Sequence, residues 1–213
     1  MPKTIEEKLT EGRQYRRVMQ MEVRAAGDDE MIVEGYATTF NQPYELWRDG
    51  DSYVFMEQVD PRAFDNADIR DTIMQYDHEG RVFARVSNRT LQLSVDDHGL
   101  KIRADLGGTE IGRQLYEEIK GGYTDKMSFG FVVDQDERLI SEDIEAGTVT
   151  VLRTIKRIGK VYDVSAVSLP ANNATDISAR NWANGVIAQI QEERRKAEER
   201  ERQKQKIRIM LSL

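Results

Sequence analysis

The first 180 residues consist mainly of short apolar runs of the kind that forms β-strands. The runs are RVMQMEVRA, MIVEGYATTF, YVFMEQV, DTIMQYDH, VFARVS, LQLSVDD, LKIRADL, DKMSFGFVV, TVTVLRTIKRIG and KVYDVSAVSLPA. They are too short and too closely spaced for βαβ units. The sequence therefore predicts a mainly β fold of the α+β class, a closed antiparallel β-barrel of about seven to nine strands with peripheral helices.

Two helices are expected outside the barrel before residue 180. Asp60 followed by a proline has the residue types of a helix N-cap and first turn, so a short helix should begin there. A second helix has Thr109 as its cap, apolar residues every four positions from Ile111 to Ile119, and a glycine pair at its end. The acidic stretch DQDERLISEDIEAG is interpreted as a loop.

A chain of 213 residues with 39% hydrophobic composition can bury one sizeable core. We expect an N-terminal extension over residues 1–13, the barrel domain over 14–179 and a charged helical tail over 180–213. Between Glu192 and Arg208 the tail has eight Lys or Arg residues and five Asp or Glu residues. Both a solvated helix and an arm that docks on a partner fit this composition.

Composition narrows the classes of function. A net charge of −7 argues against nucleic acid as a partner of the main domain, and the absence of cysteine excludes disulfides and cysteine nucleophiles. No apolar run approaches the roughly 20 residues that span a bilayer or resembles the core of a signal peptide, so we expect no membrane partner and a cytosolic or packaged protein. No Gly-rich phosphate loop occurs, which disfavours nucleotide hydrolysis.

The segment DKMSFGFVV predicts a strand with a polar notch on one face. A period of two puts Met127, Phe129 and Phe131 on one face and Ser128 and Gly130 on the other. A glycine inside a strand weakens it and marks a bulge or the close approach of another backbone or ligand. Ser128 is therefore a candidate nucleophile, with a tolerated small polar residue as the alternative.

His78 and Asp163 are candidate partners for that hydroxyl. His78 ends an apolar run, and an imidazole is the usual base for a serine. Asp163 interrupts an apolar strand, where a carboxylate needs a partner that a histidine would supply. The alternatives are a surface histidine and an edge-strand acid that faces water.

The other histidine, His98, lies in a predicted turn and is expected to be exposed. A metal-dependent hydrolase would need His78 and His98 to converge with carboxylates, but their spacing matches no helix-borne metal motif. We therefore expect neither a metal nor a cofactor.

Four segments, taken in order, resemble the tailed-phage prohead proteases, the serine proteases that mature viral capsids. The segments span residues 31–177 and are EGYATTFNQ, YDHEGRVFARVSNRTLQLSVDDHGLKIRADL, IKGGYTDKMSFGF and VYDVSAVSLPANNATDI. That family is similar in fold to the herpesvirus maturation protease, assemblin, which implies a β-barrel wrapped by helices.

The resemblance implies roles for individual residues. Ser128 matches the nucleophile, His78 the general base and Asp163 the acid that precedes VS in the family. Gly130 would leave room for the substrate backbone. Arg85 is a candidate for contacting the substrate or its oxyanion, with a packed or ion-paired arginine as the alternative. Assemblin uses a second histidine located after its serine, whereas no histidine follows Ser128 here.

The resemblance also implies a function. The implied protein is a serine endopeptidase, packaged inside the prohead in the host cytoplasm, that cleaves the scaffold segment of the major capsid protein and also cleaves itself. The implied partners are the capsid protein and its scaffold segment, and self-association is left open. The alternative from another class is a non-enzymatic capsid assembly or scaffolding protein. A Ser128 hydroxyl more than about 6 Å from the His78 ring would favour that alternative.

Overall fold

A computed structural model describes residues 13–25, 30–167 and 173–211 of the chain. Within these ranges the chain forms ten strands and two helices. The strands are β1 (Arg13–Ala25), β2 (Ile32–Thr39), β3 (Tyr44–Asp49), β4 (Tyr53–Val59), β5 (Ile73–Tyr76), β6 (Glu79–Arg85), β7 (Leu91–Val95), β8 (Gly99–Asp105), β9 (Lys126–Asp143) and β10 (Thr148–Val167). The helices are α1 (Glu110–Lys120) and α2 (Asn173–Leu211).

The strands form one sheet that stays open instead of closing into a barrel. Its main path runs β3-β4-β10-β9-β1-β2-β8-β7, and β5 joins β10 off this path with β6 as its other neighbour. The predicted mainly β class and C-terminal helix are confirmed, but the predicted closed antiparallel barrel is wrong. The reason is that β10 has two parallel neighbours, β4 along one part of its length and β5 along another. The sheet therefore branches at β10, and no single edge strand is left on that side to pair with β7 and close a barrel.

The short helix predicted at Asp60 is also wrong. The amide of Ala63 donates to Asp60 O at 3.0 Å and the Asp60 carboxylate accepts from the amide of Arg62 at 2.9 Å, which makes a turn. The carbonyl of Ala63 is then taken by the amide of Ile158 on β10 at 2.9 Å. Because the sheet uses this backbone group, a further helical turn does not form.

The acidic stretch interpreted as a loop is mostly strand. β9 and β10 form a long antiparallel ribbon that runs from Asp143 paired with Thr148 to Lys126 paired with Val167. The side chains that β9 contributes to the far end of this ribbon are largely exposed, so no buried face imposes an apolar pattern on this part of β9. Backbone pairing with β10 nevertheless holds the stretch in a strand.

The main core lies on the apolar face of β9 and beneath α1. Met127, Phe129 and Phe131 are fully buried, as their alternation predicts. α1 is confirmed, with Thr109 Oγ1 accepting from the amide of Gly112 at 3.1 Å, and its apolar stripe ends at the buried Ile119.

The first part of α2 packs on a second, smaller apolar cluster. Ala183, Val186 and Ile190 lie against Phe55 and its neighbours on β4 and β10. The ring of Trp182 meets Phe55 edge-on at 5.6 Å and covers the guanidinium of the buried Arg153. From residue 193 to residue 210 the helix is exposed. Neither helix in the described part of the chain is long and apolar enough to cross a membrane.

The position of each isoleucine along α2 predicts the effect of shortening it. Ile190 is 6% exposed and Ile207 is 57% exposed. We expect Ile190→Ala to lower the free energy of unfolding by about 2 kcal/mol, because packed methyl groups are lost, and Ile207→Ala to change it by less than about 0.5 kcal/mol. Urea unfolding of the two variants tests this packing, and equal effects would contradict it.

Candidate active site

A β-bulge decides which face of β10 carries Asp163. Val161 pairs with Phe131 and faces the core, so strict alternation would direct Asp163 into the core as well. Instead the register shifts between these two residues, with Tyr162 as the extra residue, and Asp163 pairs with Gly130. The bulge thereby moves the carboxylate to the polar face of the sheet.

Ser128 lies on the same face two pairs further along. It pairs with Ser165 of β10, so the hydroxyls of Ser128 and Ser165 and the carboxylate of Asp163 are neighbours. The notch inferred from the alternation of DKMSFGFVV is therefore present, and β10 supplies the polar groups that line it.

A tight hairpin brings His78 to this face. Asp77 and His78 form the two-residue connection between β5 and β6, with Tyr76 paired to Glu79 across it. Both central residues have positive φ, 48° for Asp77 and 64° for His78, as in a type I′ turn. Glycine is the usual residue at the second position, and the left-handed backbone conformation costs a histidine there about 1 kcal/mol. The amide of Asp77 donates to Ala166 O at 3.0 Å and ties the turn to β10.

The three predicted residues form one chain of hydrogen bonds. His78 Nδ1 lies 2.5 Å from Asp163 Oδ1, and His78 Nε2 lies 2.6 Å from Ser128 Oγ. Because an ionised carboxylate only accepts, Nδ1–H is the donor to Asp163, and in the neutral imidazole Nε2 then accepts from the Ser128 hydroxyl. Ser128 is 1% exposed and the Asp163 side chain is fully buried, so this chain is shielded from solvent.

Asp163 has two further partners, which the sequence did not point to. Ser165 Oγ donates to Asp163 Oδ1 at 2.8 Å, and Arg13 Nη2 forms an ion pair with Oδ2. Burial raises the pKa of Asp163, but the hydrogen bond from His78, the positive charge that His78 carries when it is protonated, the charge of Arg13 and the Ser165 hydroxyl together bring this pKa below its usual value. The carboxylate is therefore ionised at neutral pH.

The two predicted substrate-contacting residues lie in different places. Gly130 is buried between Asp163 on β10 and Tyr15 on β1, so it is beside the site. Arg85, on β6, has a different neighbourhood: its guanidinium is 3.7 Å from Asp71 and its amide donates to Thr90. These contacts match the ion-paired alternative, and substrate contact by either residue stays a prediction.

The second histidine has a separate environment. The His98 ring packs edge-on against Tyr36 at a centroid distance of 4.5 Å, and its amide donates to Asp96 in the turn before β8. Among the residues that the structure describes, no group of three or more His, Asp or Glu side chains could hold a metal ion.

A cleft of about 630 Å³ opens next to the hairpin that carries His78. It lies between this hairpin and α1, with Tyr76, Phe83 and Leu115 among its apolar lining residues. Asp77 and Glu118 contribute carboxylates. His78, Ser128 and Asp163 are not among its lining residues, so the cleft adjoins the hairpin that carries His78 and does not contain the site itself.

Hydroxyl, imidazole and carboxylate in this order are the groups that serine hydrolases use for acyl transfer. Each comes from a different neighbouring part of the sheet: Ser128 from β9, His78 from the β5–β6 turn and Asp163 from β10. The site thus has the layout of a Ser-His-Asp triad.

The family model for the caudovirus prohead serine proteases matches residues 19–186. The match covers more than half of the chain, and the chain belongs to this family. The resemblance seen in the four sequence segments is thereby confirmed. No curated protein and no solved structure matches the chain.

The lowered pKa of Asp163 predicts a specific pH dependence of stability. A carboxyl group with a depressed pKa stabilises the fold at any pH above its unfolded value, about 3.9, and loses this contribution as the pH falls through the folded value. We expect Asp163→Asn to be less stable than the wild type at pH 7, with a gap that narrows below about pH 4. Urea unfolding between pH 3 and 7 measures the gap, and a constant gap would contradict the prediction.

Proposed function

We propose that this prohead protease cleaves peptide bonds with Ser128 as nucleophile, His78 as general base and Asp163 as the group that orients the imidazole. The observation that carries the proposal is the unbroken hydrogen-bond chain, with separations of 2.6 Å and 2.5 Å between its members. Membership of a serine protease family supports the same chemistry.

The proposed reaction proceeds through an acyl-enzyme. Ser128 Oγ attacks the scissile carbonyl while its proton passes to His78 Nε2, and the resulting tetrahedral intermediate expels the amine, which takes that proton. Water then attacks the ester by the same route, returning the proton to Ser128 and releasing the acid. Asp163 accepts the Nδ1–H bond throughout, so it keeps Nε2 directed at the hydroxyl and stabilises the imidazolium that forms.

Substrate entry requires a local movement. A hydroxyl that is 1% exposed cannot be reached by a peptide carbonyl, so the described conformation is a closed one. The cleft beside the hairpin is the surface from which a peptide would approach, with its apolar lining suited to substrate side chains. A closed site that opens on the capsid substrate would restrict cleavage to the prohead.

The proposed substrates are the scaffold segment of the major capsid protein and the protease itself. Membership of the caudovirus prohead serine protease family supports both proposals. The alternative, a non-enzymatic scaffolding protein, predicts no use for a serine hydroxyl within 2.6 Å of an imidazole. The hydrogen-bond chain therefore favours the enzyme over the scaffold.

Replacing the nucleophile tests the proposed function. We expect Ser128→Ala to fold normally and to leave the cognate capsid precursor uncleaved, with a loss of at least about 10³-fold in rate, because the attacking oxygen is gone. The measurement is incubation of purified protease with purified precursor, followed by intact-mass spectrometry.

Two matched controls separate chemistry from damage to the fold. Ser94→Ala removes an exposed hydroxyl from β7 and should retain wild-type cleavage. His98→Gln should also retain it, whereas His78→Gln should lose it. Normal processing by Ser128→Ala would refute the assignment.

A further inference from the structure

Arg13 is the first described residue of β1 and reaches the centre of the proposed site. Its guanidinium forms an ion pair with the carboxylate of Asp163, and it lies over the ring of Tyr162 at 4.6 Å. In the sheet Arg13 pairs with Val132, whose position on β9 shares the polar face with Ser128 and Gly130. Arg13 precedes residues 19–186, which match the family model.

The partners of Asp163 divide its two oxygens between them. Oδ1 accepts from His78 and from Ser165, while Oδ2 is held by Arg13. A carboxylate fixed at both oxygens cannot rotate, so the oxygen that faces His78 stays in place. The Arg13 side chain is itself only 16% exposed, which limits screening of the pair by water.

The buried carboxylate of Asp163 is stable in its ionised form only if a nearby group compensates its charge. An ionised carboxylate away from water is strongly disfavoured unless a cation or several hydrogen bonds compensate it. Two neighbours of Asp163 can supply a cation, His78 by binding a proton and Arg13 permanently. If His78 supplied it, the imidazole would already be protonated and could not accept the proton of Ser128.

We propose that Arg13 is a positioning residue of the active site, whose guanidinium is the permanent counter-charge that keeps Asp163 ionised while His78 stays neutral as the base. This inference rests on the proposed function. It deepens that function by adding a fourth group from a strand residue outside the family match.

Other charges on this face are the background for a test of pH dependence. Asp77 and Glu79 lie on the hairpin of His78, and Glu118 of α1 lines the cleft beside them. Lys126 on β9 and Lys160 on β10 share the polar face by register. These groups are unchanged in the variants below, so differences between variants report on Arg13.

The first test is the pH profile of kcat/KM with a peptide that spans the cleavage site found in the capsid precursor. The acid limb of this profile is the fall of kcat/KM at low pH, where His78 becomes protonated. In Arg13→Gln we expect this limb to move to higher pH by about one unit, because the loss of a positive charge favours protonation of His78, so that kcat/KM on the acid side falls about tenfold. Arg13→Lys keeps the charge and should keep the limb of the wild type. Arg157→Gln, which removes an arginine 52% exposed on β10, should match the wild type.

The second test needs no substrate. The chain has only two histidines, so NMR of the imidazole rings can follow both, with His98 beside Tyr36 as an internal reference. In Arg13→Gln the pH at which the His78 signals change should rise by a similar amount, while that of His98 stays fixed.

The outcomes distinguish the two proposals. A wild type that cleaves nothing refutes the proposed function. Titration curves and pH profiles of Arg13→Gln that coincide with those of the wild type refute the role of Arg13 alone. If Arg13→Gln does not fold, Arg13→Lys is the deciding variant. An acid limb of its kcat/KM profile that is displaced to higher pH despite the retained charge would overturn the proposal.

Discussion

A carboxylate buried in the middle of a β-sheet is the constraint on which the rest of the site depends. Asp163 has no exposed surface, so its charge must be met by neighbours that the sheet itself supplies. The turn before β6 provides His78, β1 provides Arg13 and β10 provides Ser165. The order of strands around β10 and β9 therefore brings the reacting groups of this site together.

Local preferences are overridden at several points of the described chain, and two of these points lie at the proposed active site. The bulge at Tyr162 interrupts the alternation of β10, and His78 adopts a left-handed backbone conformation at a position that favours glycine. Strain of this kind persists only when the surroundings hold it, here through the amide of Asp77 and the ring contacts of His78. Elsewhere, in the core strands of β9 and in α1, local pattern and tertiary structure agree.

These two points also explain how far the sequence could predict the structure. Alternation alone located the polar notch at Ser128, and residue chemistry pointed to His78 and Asp163. The face on which Asp163 lies could not be predicted, because a bulge is set by the partner strand and leaves no periodic signal. Arg13 was missed because it is the last residue of the predicted N-terminal extension, and a single arginine there carries no pattern.

The errors in the fold have a related cause. The closed barrel was inferred from many short strands, but β10 runs for 20 residues and takes two parallel neighbours along one side. The acidic part of β9 was read as a loop because its side chains are exposed, whereas backbone pairing with β10 determines its conformation. Pairing between strands, of β10 with the distant β4 and β5 or with the consecutive β9, is a property of the fold that single-sequence patterns do not encode.

Covalent labelling of the nucleophile tests the central claim most directly. After reaction with diisopropyl fluorophosphate in the presence of the capsid precursor, which opens the proposed site, trypsin releases the peptide of residues 127–138, MSFGFVVDQDER, whose only hydroxyl belongs to Ser128. A hydroxyl activated by His78 should form the phosphoryl adduct on this peptide in the wild type and in His98→Gln, and should not form it in His78→Gln. A wild-type protease that cleaves its capsid precursor while this peptide stays unmodified, or equal labelling in His78→Gln, would contradict the account.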